Sequence, residues 1–131
     1  GIFLDPAGTV RLTAPDVRSL QLAKAAVRAS IEILLDSAGL AASDVSRVYL
    51  AGGFGLYLRE ESALAIGLLP PAFRGKTIPV GNSSLAGASA FALDAAMGAR
   101  FDEVLARCEQ VSLAEHPRFA AVFIDSMEFG L

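Results

Sequence analysis

The sequence predicts an α/β fold, a sheet flanked by helices, on three observations. Segments rich in β-branched and aromatic residues alternate with amphipathic ones, which implies crossovers that cover a sheet. Two of the strand-like segments run directly into glycine. Finally, 24 Ala and 12 Gly among 131 residues, with 53% hydrophobic and 19% charged, allow closely packed helices and a core large enough to offset chain entropy. One domain is expected from the length. The chain opens Gly-Ile-Phe without Met, and it reads as a piece of a longer protein.

The elements follow in order. Ile2-Phe3-Leu4 and Thr9-Val10-Arg11-Leu12 flank Asp5-Pro6-Ala7-Gly8, whose proline and glycine suit a type I turn, so residues 2–12 form a hairpin. Thr13 and Asp16 have capping-box spacing and Pro15 suits a first helical turn. A helix over 15–38 follows, with Val17, Leu20, Val27, Ile31 and Leu34 on one face. Arg18, Gln21, Lys24, Arg28, Glu32 and Asp36 form its polar side. Gly39 ends it as a left-handed cap. Residues 45–50 form a strand, 60–67 a short helix stopped by Pro70-Pro71, and 76–80 a second strand with Pro79 at an edge or end. Ser83 or Ser84 caps an Ala-rich helix reaching Met97. A helix over 101–109, a strand over 111–113 and an amphipathic helix over 118–127 complete the chain.

Composition excludes several functions. The net charge is −3, from 11 basic and 14 acidic residues, and no basic cluster is present, so a nucleic-acid surface is not supported. No apolar run reaches the roughly 18 residues of a membrane span. Cys108 is the one cysteine; a single thiol builds neither a disulfide within the chain nor an iron–sulfur cluster. No secretory signal pattern is visible, and a cytoplasmic location is expected.

The first candidate site is Ala51-Gly52-Gly53-Phe54-Gly55. Glycines just past a strand let backbone N–H groups approach a ligand with no Cβ in the way. In open α/β sheets ligands bind outside the carboxyl ends of the strands; a tight turn needing glycine is the competing explanation. The spacing is neither a Walker A loop nor the dinucleotide fingerprint. The second candidate is Gly81-Asn82-Ser83-Ser84-Leu85-Ala86-Gly87-Ala88. Its Asn82 either contacts a ligand or caps the helix. Gly87 inside a helix costs roughly 1 kcal/mol relative to Ala, which a close crossing would justify. Lys24 interrupts an Ala-rich stretch and reads as solvated, with a ligand contact as the alternative. Cys108 reads as core, His116 as a surface loop residue, and Glu60-Glu61 as charge favourable to a helix N-terminus. No catalytic constellation is evident.

In order, these segments resemble the closing half of the actin-like (ribonuclease H-like) ATPase fold of sugar kinases, actin and heat-shock chaperones, a mixed sheet flanked by helices. In that superfamily the Gly-Gly turn is the adenosine motif, and the Gly-Ala helix contributes to the inter-lobe connection. More closely, the chain resembles the carboxyl-terminal domain of the reductive activators of corrinoid proteins. The likeness rests on Leu20-Gln21-Leu22-Ala23-Lys24-Ala25-Ala26, Val48-Tyr49-Leu50-Ala51-Gly52-Gly53-Phe54-Gly55, Ala65-Ile66-Gly67-Leu68-Leu69-Pro70 and Gly81-Asn82-Ser83-Ser84-Leu85-Ala86-Gly87-Ala88. Val111-Ser112-Leu113-Ala114 and Pro117-Arg118-Phe119 extend it over almost the whole chain.

The resemblance implies a parent with an amino-terminal [2Fe–2S] domain and an actin-like cleft for ATP and Mg²⁺. That parent would use ATP to return an inactive Co(II) corrinoid on a methyltransferase partner to Co(I). Residues 1–131 would be the carboxyl-terminal lobe, supplying one wall of the nucleotide site: Gly52, Gly53, Phe54 and Gly55, with Asn82 and Lys24 as further contacts. Asp5-Pro6-Ala7-Gly8-Thr9 has a likeness to the superfamily's Asp-x-Gly-Thr, but it precedes the wrong helix and contains Pro6, so it reads as a turn. The hydrolytic groups, the metal ligands and the electron carrier are then expected on the other lobe or beyond, and this chain alone is expected to be inactive. A homodimer is left open. Two alternatives are an activator of another radical or dehydratase enzyme, and a docking or dimerisation module without nucleotide binding.

Overall fold

A computed structural model describes residues 1–129. Strands β1 (Ile2–Phe3) and β2 (Arg11–Leu12) pair antiparallel, as the hairpin pattern predicts. The Asp5 carboxylate holds the loop shut, accepting from Thr9 N–H, Thr9 Oγ1 and Val10 N–H. Helix α1 spans Ala14–Ser37 and opens on the expected capping box. The Asp16 carboxylate accepts from Thr13 N–H at 2.8 Å, and Asp16 N–H donates back to Thr13 Oγ1 at 3.4 Å. At the other end Gly39 adopts φ 67°. Its N–H donates to Asp36 O, and Leu40 N–H donates to Leu35 O, the paired bonds of a Schellman cap.

The apolar stripe predicted for α1 is only partly realised. Ala25, Ala29 and Ile33 are the buried apolar residues, while Leu20, Val27 and Leu34 stay exposed. Ala29 and Val27 are two positions apart, about 200° round the helix. Small residues let neighbouring backbone come close on one side, and the bulky stripe on the other side is left uncovered within the described residues.

Strand β3 is Val48–Ala51, starting later than expected because the ladder begins only where Val48 meets Thr77, the first residue of its partner strand; Ala42–Asp44 ahead of it forms a turn of 3-10 helix. Helix α2 (Gly52–Tyr57) starts without an intervening loop, and α3 (Glu60–Ala65) follows. Gly67, at φ 75°, gives α3 a second Schellman cap, with Gly67 N–H to Leu64 O and Leu68 N–H to Ala63 O. After a 3-10 turn at Pro71–Phe73, strand β4 (Thr77–Gly81) pairs parallel with β3. Leu50 faces Pro79 and Ala51 faces Gly81, so the ladder skips Val80 in a bulge. Pro79 is tolerated because β4 has only one strand neighbour among the described residues. The core gathers Ala63, Leu64, Leu68, Leu69 and Phe73, with Ile31, Leu35, Val45 and Val48 packed against it.

The carboxyl-terminal half departs most from expectation. Helix α4 (Ser83–Leu93) stops short of Met97, and its cap is Asn82 rather than a serine. Asp94 Oδ1 accepts from Ala96 N–H at 2.8 Å, a local turn that competes with the helix. Helix α5 then spans Met97–Leu105 instead of 101–109. The strand expected at 111–113 is absent; Leu113–Glu115 is a 3-10 turn, since no strand edge lies alongside to complete a ladder. Helix α6 (Phe119–Asp125) lies antiparallel to α1, with Arg118 at Asp36 and Ser126 at Lys24. No helix among the described residues is long and apolar enough to cross a membrane.

Candidate nucleotide-facing site

The fold brings the two glycine-bearing segments together. Ala51 and Gly81 are register partners at the carboxyl ends of adjacent parallel strands, so Gly52 and Asn82 leave the sheet side by side. Both exits turn through left-handed glycine: Gly52 at φ 83° and Gly81 at φ 67°. A Cβ at Gly52, Gly53 or Gly81 would meet nothing of this chain within 4 Å. Backbone therefore lies open along this edge, and no packing partner accounts for glycine at Gly53.

Gly55 is different. It is buried, and a Cβ there would lie 3.0 Å from the Leu50 carbonyl carbon and 3.2 Å from Leu50 Cβ. Its small size lets α2 fold back on β3. Phe54 beside it is 75% exposed and Tyr57 83%, an outlay of aromatic surface that a planar ligand or another protein layer could cover. Asn82 Oδ1 accepts from Leu85 N–H at 3.0 Å, so the residue serves as the helix cap and is exposed at the same edge. Just beyond, α4 and α5 border an apolar cleft of about 710 Å³ lined by Ser83, Ser84, Gly87, Phe91, Phe101 and Val104. Phe91 and Phe101 meet edge-to-face there, 5.9 Å apart.

Segments 51–55 and 81–88 contain no titratable side chain, so this edge can bind and orient but offers no acid or base. Among the described residues no three acidic, His or Cys side chains gather to hold a metal ion. The edge is a backbone cradle for a ligand and carries no hydrolytic group of its own.

Lys24 does not sit with the glycines. It is 1% exposed, correcting the solvated reading. Its ammonium donates to Ser126 O at 2.8 Å and to Glu128 O, and lies 5.1 Å from the centre of the Phe129 ring. Burial pushes its pKa down, the Arg28 charge adds to this, and Glu128 opposes it. Its employment is structural, and its partners lie more than 100 residues away in sequence, where no local pattern announces them. Cys108 is exposed, correcting the core reading. Glu60 also does more than suit a helix N-terminus: its carboxylate accepts from Gly75 N–H at 2.7 Å and from the Thr77 hydroxyl. The Thr77 hydroxyl first, then Gly75 N–H, hold its pKa below the ordinary 4.5. Glu60 thereby fixes where β4 begins.

A family model described as the C-terminal domain of RACo, the ASKHA domain, matches residues 4–130. The corrinoid activation enzyme RamQ of Eubacterium limosum is 30% identical over 119 residues, 91% of this chain and 20% of its own. A solved structure of a reductive activator for a corrinoid, iron-sulfur protein superposes with a TM-score of 0.81 at 34% identity, over 90% of this chain and 19% of that one. The chain thus spans about a fifth of the length of these two relatives.

Proposed function

Since the chain belongs to the family of C-terminal ASKHA domains of RACo, we propose that it is the nucleotide-facing lobe of an ATP-dependent reductive activator of corrinoid proteins. The observation that carries the reading is the open glycine edge. Gly52 and Gly81 turn at the ends of paired parallel strands, and Gly53 is left without a packing reason to be glycine. Gly52, Gly53, Phe54 and Asn82 form one wall of the site, and Gly55, buried against Leu50, shapes the turn behind it. Backbone N–H groups and the Asn82 side chain orient the ligand, and Phe54 shields it. Lys24 takes no part, because its ammonium is engaged by Ser126 and Glu128 carbonyls.

Mg²⁺ ligands and the group that positions the attacking water come from outside this chain, as does any [2Fe–2S] cluster. ATP, when bound, supplies the free energy for an uphill reduction of Co(II) to Co(I) on a corrinoid methyltransferase partner. The uncovered apolar faces support a second lobe of the same polypeptide: α4 has no charged side chain and no buried residue, and a helix apolar all round belongs inside a larger body. Nucleotide held between two lobes then favours the closed arrangement and alters the grip on the partner. The test is calorimetry of ATP with Mg²⁺ on the full-length gene product, with ATP-dependent formation of Co(I) followed optically. Saturable binding and ATP-dependent Co(I) are expected; a full-length protein that binds no nucleotide refutes the reading.

A further inference from the structure

The two outer edges of the β3–β4 pair differ in kind. Val48 N–H donates to Lys76 O, and in a parallel ladder this fixes which residues turn their backbone inward. Val48 and Leu50 point N–H and C=O at β4, and Ile78 points back at β3. Thr77 and Pro79 therefore form the outer edge of β4, and Tyr49 that of β3. The β4 edge is closed. Thr77 N–H donates to Glu60 Oε2 at 3.4 Å and Gly75 N–H, just before it, to Glu60 Oε1 at 2.7 Å; Pro79 has no N–H to offer. A charged side chain and a proline at an edge stop further strand pairing. The β3 edge carries neither, since Val48-Tyr49-Leu50-Ala51 holds no charge and no proline. Tyr49 N–H and C=O find no backbone partner among the described residues, and the residue is exposed.

We propose that an extended segment of the same polypeptide, from outside residues 1–131, pairs with the open edge of β3. Strand β3 is then interior and β4 is the last strand of the sheet. Three observations select this occupant. A lone parallel pair is not a self-sufficient sheet, because parallel strands are stable where neighbours bury them; the edge is therefore filled in the resting protein and not only when a partner arrives. Two copies joined at β3 would share at most its four residues, roughly 13 Å of strand, too short for the area of a stable dimer. The chain spans only about a fifth of the length of its two relatives, which leaves polypeptide to supply a strand. A wider sheet also offers cover to α1: Val27 and Leu34 are exposed, yet lie within one turn of Ile31, which packs on the same core as Val48. The pairing rests on the chain being part of a longer activator, and it needs no nucleotide.

Hydrogen exchange of the full-length protein alone, without nucleotide or corrinoid partner and read at single amides by mass spectrometry, tests this. Tyr49 N–H is expected to exchange about a hundredfold or more slowly than in an unstructured chain, alongside Leu50 N–H, which is bonded to β4. Fast exchange at Tyr49 beside a slow Leu50 overturns the added strand. So does protection of Tyr49 that disappears on dilution to monomer, which makes the occupant a second copy, or that appears only when a corrinoid protein is added. Glu60→Ala is expected to speed exchange at Thr77 by about tenfold, the scale of one charge-assisted hydrogen bond, and to leave Tyr49 slow. An unchanged rate at Thr77 would mean that another strand covers β4, and would overturn the assignment of the edges. If Glu60→Ala does not fold, the unsubstituted protein decides alone through Tyr49. A full-length protein that protects Tyr49 but binds no ATP refutes the nucleotide reading and leaves the added strand standing.

Discussion

Replacing Gly53 by valine separates ligand contact from fold stability at a single position. Gly53 has no left-handed backbone, and a Cβ there meets no atom of this chain within 4 Å. The lobe therefore accommodates the side chain without strain. Valine is also a better helix former than glycine by a few tenths of a kcal/mol, so the unfolding temperature should stay level or rise slightly. A nucleotide lying against the Gly53 backbone would meet the new isopropyl group, and forcing extra atoms into a packed contact costs about 1–3 kcal/mol. At about 1.4 kcal/mol per tenfold, this is a loss of about 5- to 150-fold in affinity. The assay is calorimetry of ATP with Mg²⁺ on the full-length protein, with thermal unfolding of the same samples. Gly55→Ala is the control, since its Cβ would press on Leu50 and should lower stability before it touches binding. Wild-type affinity in a folded Gly53→Val protein would refute the reasoning.

Other outcomes follow from the same geometry. Asn82→Ala loses the α4 cap and about 1 kcal/mol of stability, whereas Asn82→Ser keeps a capping oxygen; weaker ATP binding in the serine variant, by calorimetry, would isolate the contribution of the amide, and undiminished binding would confine Asn82 to capping. Phe73→Ala, in the middle of the core and 4% exposed, should cost about 3–5 kcal/mol in denaturant unfolding; a loss under 1 kcal/mol would mean that the core is elsewhere. Asp16 and Glu60 carry carboxyls held below their ordinary values by hydrogen bonds from Thr13 and from Thr77 and Gly75. The unfolded chain binds those protons first, so stability is present above the ordinary carboxylate range and declines as pH falls through it. Thr77→Val should flatten that decline in thermal melts between pH 7 and 3, and an unaltered slope would remove Glu60 from the account.

What the sequence reveals divides by range. The ends of α1 are legible because Thr13, Asp16 and Gly39 act within one helical turn, and each performs its expected part. The glycines after β3 and β4 are legible for the same reason, and the parallel pairing sets the two segments side by side. The break at Asp94 is hidden, because Ala95-Ala96 and the residues before them favour helix throughout and one side-chain hydrogen bond decides the stop. Residues 111–113 have strand composition but no neighbour to pair with. Lysine in an Ala-rich stretch is normally solvated, and no local signal marks Lys24 as an exception. Its burial depends on carbonyls supplied by residues 126 and 128, and long-range pairing of this kind leaves no periodicity. The exposed Leu20, Val27 and Leu34 are a stripe with helical spacing whose cover is not within the described residues.

The central claim is that nucleotide lies against the two glycine edges of this lobe. Hydrogen exchange of the full-length protein with and without ATP and Mg²⁺ tests it most directly. The account predicts slowed exchange in residues 51–55 and 81–85, with little change in 2–12. Bound nucleotide that leaves both glycine segments exchanging at their free rates would contradict it.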